Sequence, residues 1–296
     1  MPHPVIFDRV LLRARRARAD ALGPATFLVD RVADDLEARL GAVLRPFELA
    51  ADLGTPTDAV RRRLAPRVSR IVAVDARASH LAGEPLPVVA DEEALPFRDA
   101  SLDLAVSALA LQFVNDLPGT LIQIRRALKP DGLFLAAMIG GDSLAELREA
   151  FAQAESETEG GASPRVAPFA DLRDLGGLLQ RAGFALPVTD VDRTTVRYAS
   201  PLALMHDLRR MGATNALHER RRLPLRRGTL RRLVEIYDER FADADGRIGA
   251  TFEIVWLSGW APHESQQQPL KPGSARTRLA DALHTREIPA GEKAKR

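Results

Sequence analysis

The sequence predicts an α/β protein built on a mostly parallel, seven-stranded sheet with an antiparallel hairpin at one edge. Three observations lead there. Apolar runs of strand length end at polar groups: at Asp75, at Asp91 and shortly before Gln112. Helix-like connections separate these runs, which argues for parallel strands with helices on both faces. The last two strand candidates flank a helical insertion at about residues 200–243 and pair as an edge hairpin. Acidic residues at strand ends describe half of a nucleotide-binding sheet, in which ligands lie outside the carboxyl ends of the strands.

The elements follow in chain order. Val10, Leu11, Ala14, Ala17 and Ala21 share a helical face until Gly23-Pro24 breaks the pattern. A second helix covers residues 27–44, with Leu36 and Leu40 on one face. Strands are expected at residues 47–53, 70–75, 86–90 and 102–107. Pro56 and Thr57 turn the chain into a helix that ends before Pro66. A helix at residues 117–128 leads to a fifth strand at 132–138. Asp142 or Ser143 is a suitable N-cap for a helix at 144–154, and a polar loop fills 155–163. The helix at 171–182 stops at Gly183, a C′ glycine. Residues 187–198 alternate as a strand, 201–211 and 229–241 are helical, and 248–260 form the last strand. The domain layout is therefore a helical segment at 1–45, the main domain at 46–261 and a tail at 262–296 without fixed order. Residues 275–283 of that tail are the exception, with the pattern of a short helix.

Composition limits the chemistry. The chain has 296 residues, 46% hydrophobic and 28% charged, as in ordinary globular proteins. It lacks cysteine, which excludes disulfides, thiolate metal sites and cysteine nucleophiles. No apolar run approaches the roughly 18 residues that a membrane span needs. The Arg-rich start has no apolar region of the signal-peptide kind, so a cytoplasmic location is expected. Net charge is only +2, yet the arginines cluster. Arg220, Arg221, Arg222, Arg226, Arg227, Arg231 and Arg232 form either solvated helix faces or a platform for an acidic partner or an anionic membrane surface. Nucleic acid is not expected, because no aromatic residues interleave the cluster.

Several segments carry a resemblance. They are Phe7-Asp8-Arg9 with Arg13, Arg15 and Arg16; Asp52-Leu53-Gly54; Asn115-Asp116-Leu117-Pro118-Gly119; Leu128-Lys129-Pro130-Asp131-Gly132; Gly140-Gly141-Asp142-Ser143; and Met211-Gly212-Ala213-Thr214-Asn215-Ala216. With these the chain resembles class I S-adenosylmethionine (SAM)-dependent methyltransferases, whose fold is Rossmann-like. Within them it is similar to the methyltransferase-like assembly factors of respiratory complex I, and more distantly to the malonyl-carrier methyltransferases of biotin synthesis.

The resemblance implies SAM as cofactor. Asp52 and Gly54 belong to the cofactor turn, where a missing Cβ lets the backbone approach the ligand. One glycine stands there instead of two or three, and Pro56 has no N–H to donate. Asp75 matches the ribose-binding carboxylate, and Asp91 with Glu92 matches the adenine position. Each has a plainer reading, as a strand-end cap or a solvated loop. Leu95-Pro96-Phe97 offers an apolar wall.

Gln112, Asn115 and Asp116 are the candidates for catalytic or substrate contacts, although Asn-Asp before Leu-Pro also starts a helix well. Asp116 and His206 are weak candidates for a base. Tyr198, Tyr237 and Arg226 are substrate-side candidates, while Phe252, Trp256 and Trp260 read as packing. Methyl transfer asks mainly for alignment. The resemblance also implies hydroxylation of an arginine in an iron–sulfur subunit of complex I. No pair of His-x-Asp or His-x-Glu type suggests a two-histidine, one-carboxylate iron site, and no metal is expected.

Three functions stay open. One is modification of a protein side chain during complex I assembly, at the inner face of the respiratory membrane with peripheral association. The second is carboxyl methylation of a malonyl carrier or small acid. The third is a non-catalytic assembly chaperone.

Overall fold

The chain enters through two helices, α1 (Arg9–Leu22) and α2 (Phe27–Gly41), and then alternates strand and helix. The order is β1 (Phe47–Leu53), α3 (Ala59–Leu64), β2 (Val68–Asp75), β3 (Pro87–Val89), β4 (Leu102–Ala108), α4 (Leu117–Ala127) and β5 (Leu128–Ile139). There follow α5 (Ala145–Glu159), α6 (Leu172–Arg181), β6 (Ala185–Tyr198), α7 (Pro201–Arg210), α8 (Arg227–Phe241) and β7 (Ile248–Trp260). This computed structural model describes residues 5–267, 274 and 277–286. It divides into two units, Met1–Pro262 and His263–Arg296. The second unit contains one helical turn, α9 (Leu279–Ala282). Residues 268–273, 275–276 and 287–296, on which part of the expectation for the tail falls, lie outside the described residues.

The seven strands form one sheet in the order β3-β2-β1-β4-β5-β7-β6. The first five run parallel, and β7 pairs antiparallel with both β5 and β6. The expected edge hairpin is present, with the later strand on the inside. Burial explains that order. Residues 252–257 of β7 are buried on both faces, whereas β6 alternates between exposed and half-buried positions as an edge strand does. The central strands β1, β4 and β5 are buried almost throughout their carboxyl halves. Two apolar clusters cover the two faces of the sheet.

Local chemistry sets the helix starts. Asp8, Asp116, Asp171 and Ser200 each accept a backbone N–H in the first turn of α1, α4, α6 and α7. Gly183, at φ +84°, ends α6 as expected. Helix α5 differs from expectation. Leu144 precedes it at φ +55° with no side-chain cap. Asp142 pairs with Arg193 instead, and the Ser143 hydroxyl exchanges hydrogen bonds with the backbone of Glu253. The same helix runs on to Glu159, through half of the expected loop. Glu155, fully buried within it, accepts from Ser163 and pairs with Arg165, which folds the following segment back on the helix. The fifth strand begins four residues early, at Leu128, because the Lys-Pro-Asp-Gly turn enters the sheet through a register shift opposite Leu102 and Leu104.

Candidate active site

The carboxyl ends of β1, β4 and β5 open on a chamber of about 390 Å³, within the range of roughly 300–1,000 Å³ usual for small-molecule sites. Helices α1, α2 and α7 and the segment at residues 165–169 close it. Its walls are mostly apolar, with Leu28, Leu147, Phe151, Met205 and Phe252 among them. Pro56 and Thr57 of the turn after β1 reach it, as does Gln112 beyond β4. Among the described lining residues Asp20 is the one carboxylate.

Gln112 occupies a specific place. Its Nε2 donates to the Leu109 carbonyl at 2.8 Å. Its Oε1 is buried and has no hydrogen-bond partner among the described residues. A buried acceptor without a donor costs about 1–3 kcal/mol, so this atom is suited to receive a donor from a ligand.

Asn115 and Asp116 do not line the chamber. The Asn115 Oδ1 accepts the backbone N–H groups of Ile6 at 2.9 Å and Phe7 at 2.7 Å. Its Nδ2 donates to the Phe7 carbonyl at 3.2 Å. The Asp8 N–H donates to the Ala216 carbonyl, and the His218 N–H to that of Ile6. Three of the sequence motifs thus meet: the Phe-Asp-Arg segment is clamped between Asn115 and residues 216–218. Asp116 caps α4 through the Gly119 N–H at 2.9 Å. Gly212, at φ +68°, ends α7 so close to α1 that a Cβ there would lie 3.0 Å from the Arg16 Cα.

The expected cofactor residues hold their places at the strand ends, but arginines engage their carboxylates. Asp52 ends β1 fully buried, bonded to Thr55 and Arg61. Burial pushes its pKa up to about 6 against the opposing pull of Arg61. Asp75 ends β2 and accepts the Arg77 backbone N–H at 2.7 Å and the Arg77 side chain at 3.2 Å. Arg77 continues to Asp20 at 2.6 Å. Asp91 takes Arg9 at 2.7 Å, and Glu92, almost fully buried, pairs with Arg9 and Arg16. The Glu92 carboxylate lies over Gly54, in space that a Cβ on Gly54 would claim. Burial alone would lower the Arg9 pKa, but Glu92 and Asp91 outweigh it and the value is raised.

The remaining candidates are scattered. Tyr198, at the end of β6, and Tyr237, on α8, are buried in the core and do not line the chamber. The Tyr237 hydroxyl donates to the Gly249 carbonyl at 3.0 Å. The Tyr198 hydroxyl has no partner among the described residues, and burial pushes its pKa up to about 12. Arg226 is exposed, 3.9 Å from Glu159. His206 is exposed. Phe252, expected to pack, packs and also lines the chamber.

Sequence reasoning missed Arg77, Asp20 and Arg209. Arg77 had a signal, since a cation two residues beyond a strand-end carboxylate falls within its reach. Asp20 and Arg209 had none, because helix docking alone brings them to the chamber. Among the described residues, no group of three or more His, Asp or Glu side chains is arranged to hold a metal ion.

This arrangement defines a class: a Rossmann-like, SAM-dependent methyltransferase-fold enzyme. The family description "Methyltransferase domain" matches residues 51–136. A Bacillus halodurans structure described as a candidate methyltransferase superposes with a TM-score of 0.54 at 19% identity. It covers 77% of this chain and 99% of its own. The YcgJ protein of Bacillus subtilis gives 0.54 at 15% identity, over 78% and 98%.

Sequence similarity is more specific. "Arginine-hydroxylase NDUFAF5, mitochondrial" of Danio rerio is 39% identical over 93% of this chain and 89% of its own length. The Homo sapiens protein of that name is 39% identical over 91% and 81%. A malonyl-[acyl-carrier protein] O-methyltransferase of Xylella fastidiosa is 40% identical, over only 59% and 57%. The chain belongs to the NDUFAF5 arginine-hydroxylase family.

SAM is the cofactor of the fold class, and the residues at the expected places suit it by chemical type, although Glu92 lies over Gly54 and arginines hold Asp75 and Asp91. Asp75 and Asp91 stand at the strand ends where a ribose and an adenine lie in such sheets, and Gly54 leaves the turn free of a Cβ. The group supplies an electrophilic methyl when bound. To hold its adenosine, Asp75 and Asp91 would have to exchange their arginine partners for ligand hydroxyl and amino groups.

Proposed function

We propose that the chain modifies an arginine side chain of a protein during assembly of respiratory complex I. The observation that carries this reading is identity along nearly the whole chain with relatives named arginine-hydroxylase. The chamber supports it. Apolar walls suit the methylene stem of an arginine, whose charged head seeks polar groups at the far end. The unpartnered Gln112 Oε1 is an acceptor for a guanidinium N–H. The carrier-methylation reading ranks lower, since those relatives match little more than half of the chain.

The place of action we propose is the inner face of the respiratory membrane, with peripheral association. No described helix is long and apolar enough to cross a membrane.

The test incubates purified protein with the iron–sulfur subunits of complex I and either SAM, as methyl donor, or dioxygen with a reductant, as hydroxylation requires, then maps arginine mass shifts. A methyl or oxygen increment on one arginine, lost in Gln112→Ala, supports the reading. An unmodified set of subunits sinks it. A second reading, an assembly chaperone with weak cofactor binding, is favoured by the arginine partners at Asp75 and Asp91. Isothermal titration with SAM separates the two: micromolar binding favours the enzyme, and no binding up to millimolar SAM favours the chaperone.

A further inference from the structure

Beside the chamber lies a second concavity, its mouth, lined by six arginines: Arg15, Arg165, Arg209, Arg220, Arg221 and Arg222. No carboxylate is among its described lining residues. Chamber and mouth adjoin, since Arg15, Arg165, Arg209 and Asn215 border both. Three of the six cations are neutralised within the chain. Arg165 pairs with Glu155, Arg220 with Asp8 at 3.2 Å, and Arg221 with Glu159. Much of the basic cluster seen in the sequence is spent in this way, including Arg232, which binds Glu157 at 2.6 Å.

The other three have no carboxylate partner among the described residues. Arg15 on α1 donates only to the Asn215 carbonyl. Arg209 on α7 and Arg222 in the segment before α8 are exposed and make no side-chain hydrogen bond or ion pair there. Three elements that are distant in sequence thus converge to place uncompensated positive charge around one opening. Burial first, then Arg220 and Arg18 close by, hold the Arg15 pKa below its usual value against the opposing pull of Asp8. Positive charge gathered in a concave opening attracts anions.

An isolated guanidinium approaching such a mouth is repelled, whereas one carried on a segment with neighbouring carboxylates is drawn in. We infer that the protein segment modified by this chain is acidic: carboxylates flanking the target residue seat on Arg15, Arg209 and Arg222 while the target side chain enters the chamber. This rests on the arginine-modification reading and adds the chemistry by which the substrate is chosen. A concave mouth leading to the catalytic end of the sheet suits a protruding peptide better than a flat lipid surface. The absence of aromatic side chains among its described lining residues offers nothing for bases to stack on.

The test uses the full chain and short labelled peptides with one central arginine, flanked by glutamate, glutamine or lysine. Fluorescence anisotropy is expected to show the glutamate peptide binding at least tenfold tighter than the glutamine peptide, with the lysine peptide weakest. Added salt erodes the preference. The double variant Arg209→Glu, Arg222→Glu removes or inverts it, and its melting curve checks that it folds. Equal binding of all three peptides overturns the inference, as does a preference that survives the double variant. So does binding of anionic phosphatidylserine vesicles through the same two arginines when no peptide binds. A glutamate peptide with glutamine in place of the central arginine separates the two layers. If both glutamate peptides bind and the arginine is never modified, the mouth is correctly read and the arginine reading fails.

Discussion

Arg9 of the first helix donates to Asp91 at 2.7 Å, so the carboxylate expected to meet an adenine is held by a side chain from 82 residues earlier. The same guanidinium reaches Glu92, which is nearly inaccessible to solvent. Arg9 therefore stabilises the loop after β3, and under the proposed adenine role of Asp91 it would compete with the cofactor for that carboxylate. Arg9→Ala is expected to lower the melting temperature, because Glu92 keeps only the more distant Arg16 at 3.7 Å. It is also expected to tighten S-adenosylhomocysteine binding by about tenfold, or ~1.4 kcal/mol. Calorimetric titration of wild type and variant reads this directly. Weaker binding would show that Arg9 assists the cofactor rather than opposing it.

Asp75 is the second contested carboxylate. Asp75→Ala is expected to weaken SAM binding by about 1–3 kcal/mol, the cost of leaving ribose hydroxyls unpaired. An unchanged Kd would confine Asp75 to holding Arg77.

Asn115 serves the N-terminal segment through three hydrogen bonds. Asn115→Ala leaves two backbone donors and one acceptor without it, at a cost of about 1–3 kcal/mol. Limited proteolysis is expected to cut the variant near residues 5–8 much sooner than wild type. Equal cleavage rates would refute the clamp.

Gly212 sits at φ +68° against Arg16. Gly212→Ala incurs roughly 1–2 kcal/mol of left-handed backbone strain and adds the clash. A shift of several degrees in the melting temperature is expected, and no shift would mean that α1 yields easily.

Glu155 gives a pH dependence. Burial raises its pKa, but the bonds from Ser163 and the pairing with Arg165 outweigh it, so the folded value lies below the usual glutamate range. A depressed carboxylate stabilises the fold above its unfolded pKa, and the stabilisation is lost as pH falls through the folded one. Loosening of residues 160–169 is thus expected below about pH 4.5, visible as faster hydrogen exchange there. Glu155→Gln is expected to remove this acid sensitivity, and an identical pH profile in the variant would exclude Glu155 as its source.

The sequence by itself determined the parallel sheet and its edge hairpin, because strand runs, caps and turn residues are local signals. Asp116 starts α4 where Asn-Asp before Leu-Pro is expected to start a helix, and the strand-end acids at Asp52 and Asp75 stand where the apolar runs end. Helix α5 shows where local signals fail: Ser143 has the right chemistry for a cap but is claimed by Glu253, 110 residues later in the chain. The site was decided almost wholly by tertiary packing. Nothing near Asp91 foretells Arg9, nothing near Asn115 foretells the backbone of Ile6, and the mouth gathers Arg15, Arg209 and Arg222 from three separate elements. Side-chain pairing depends on distance in space, and a linear pattern carries no information about which charged groups a folded sheet brings together.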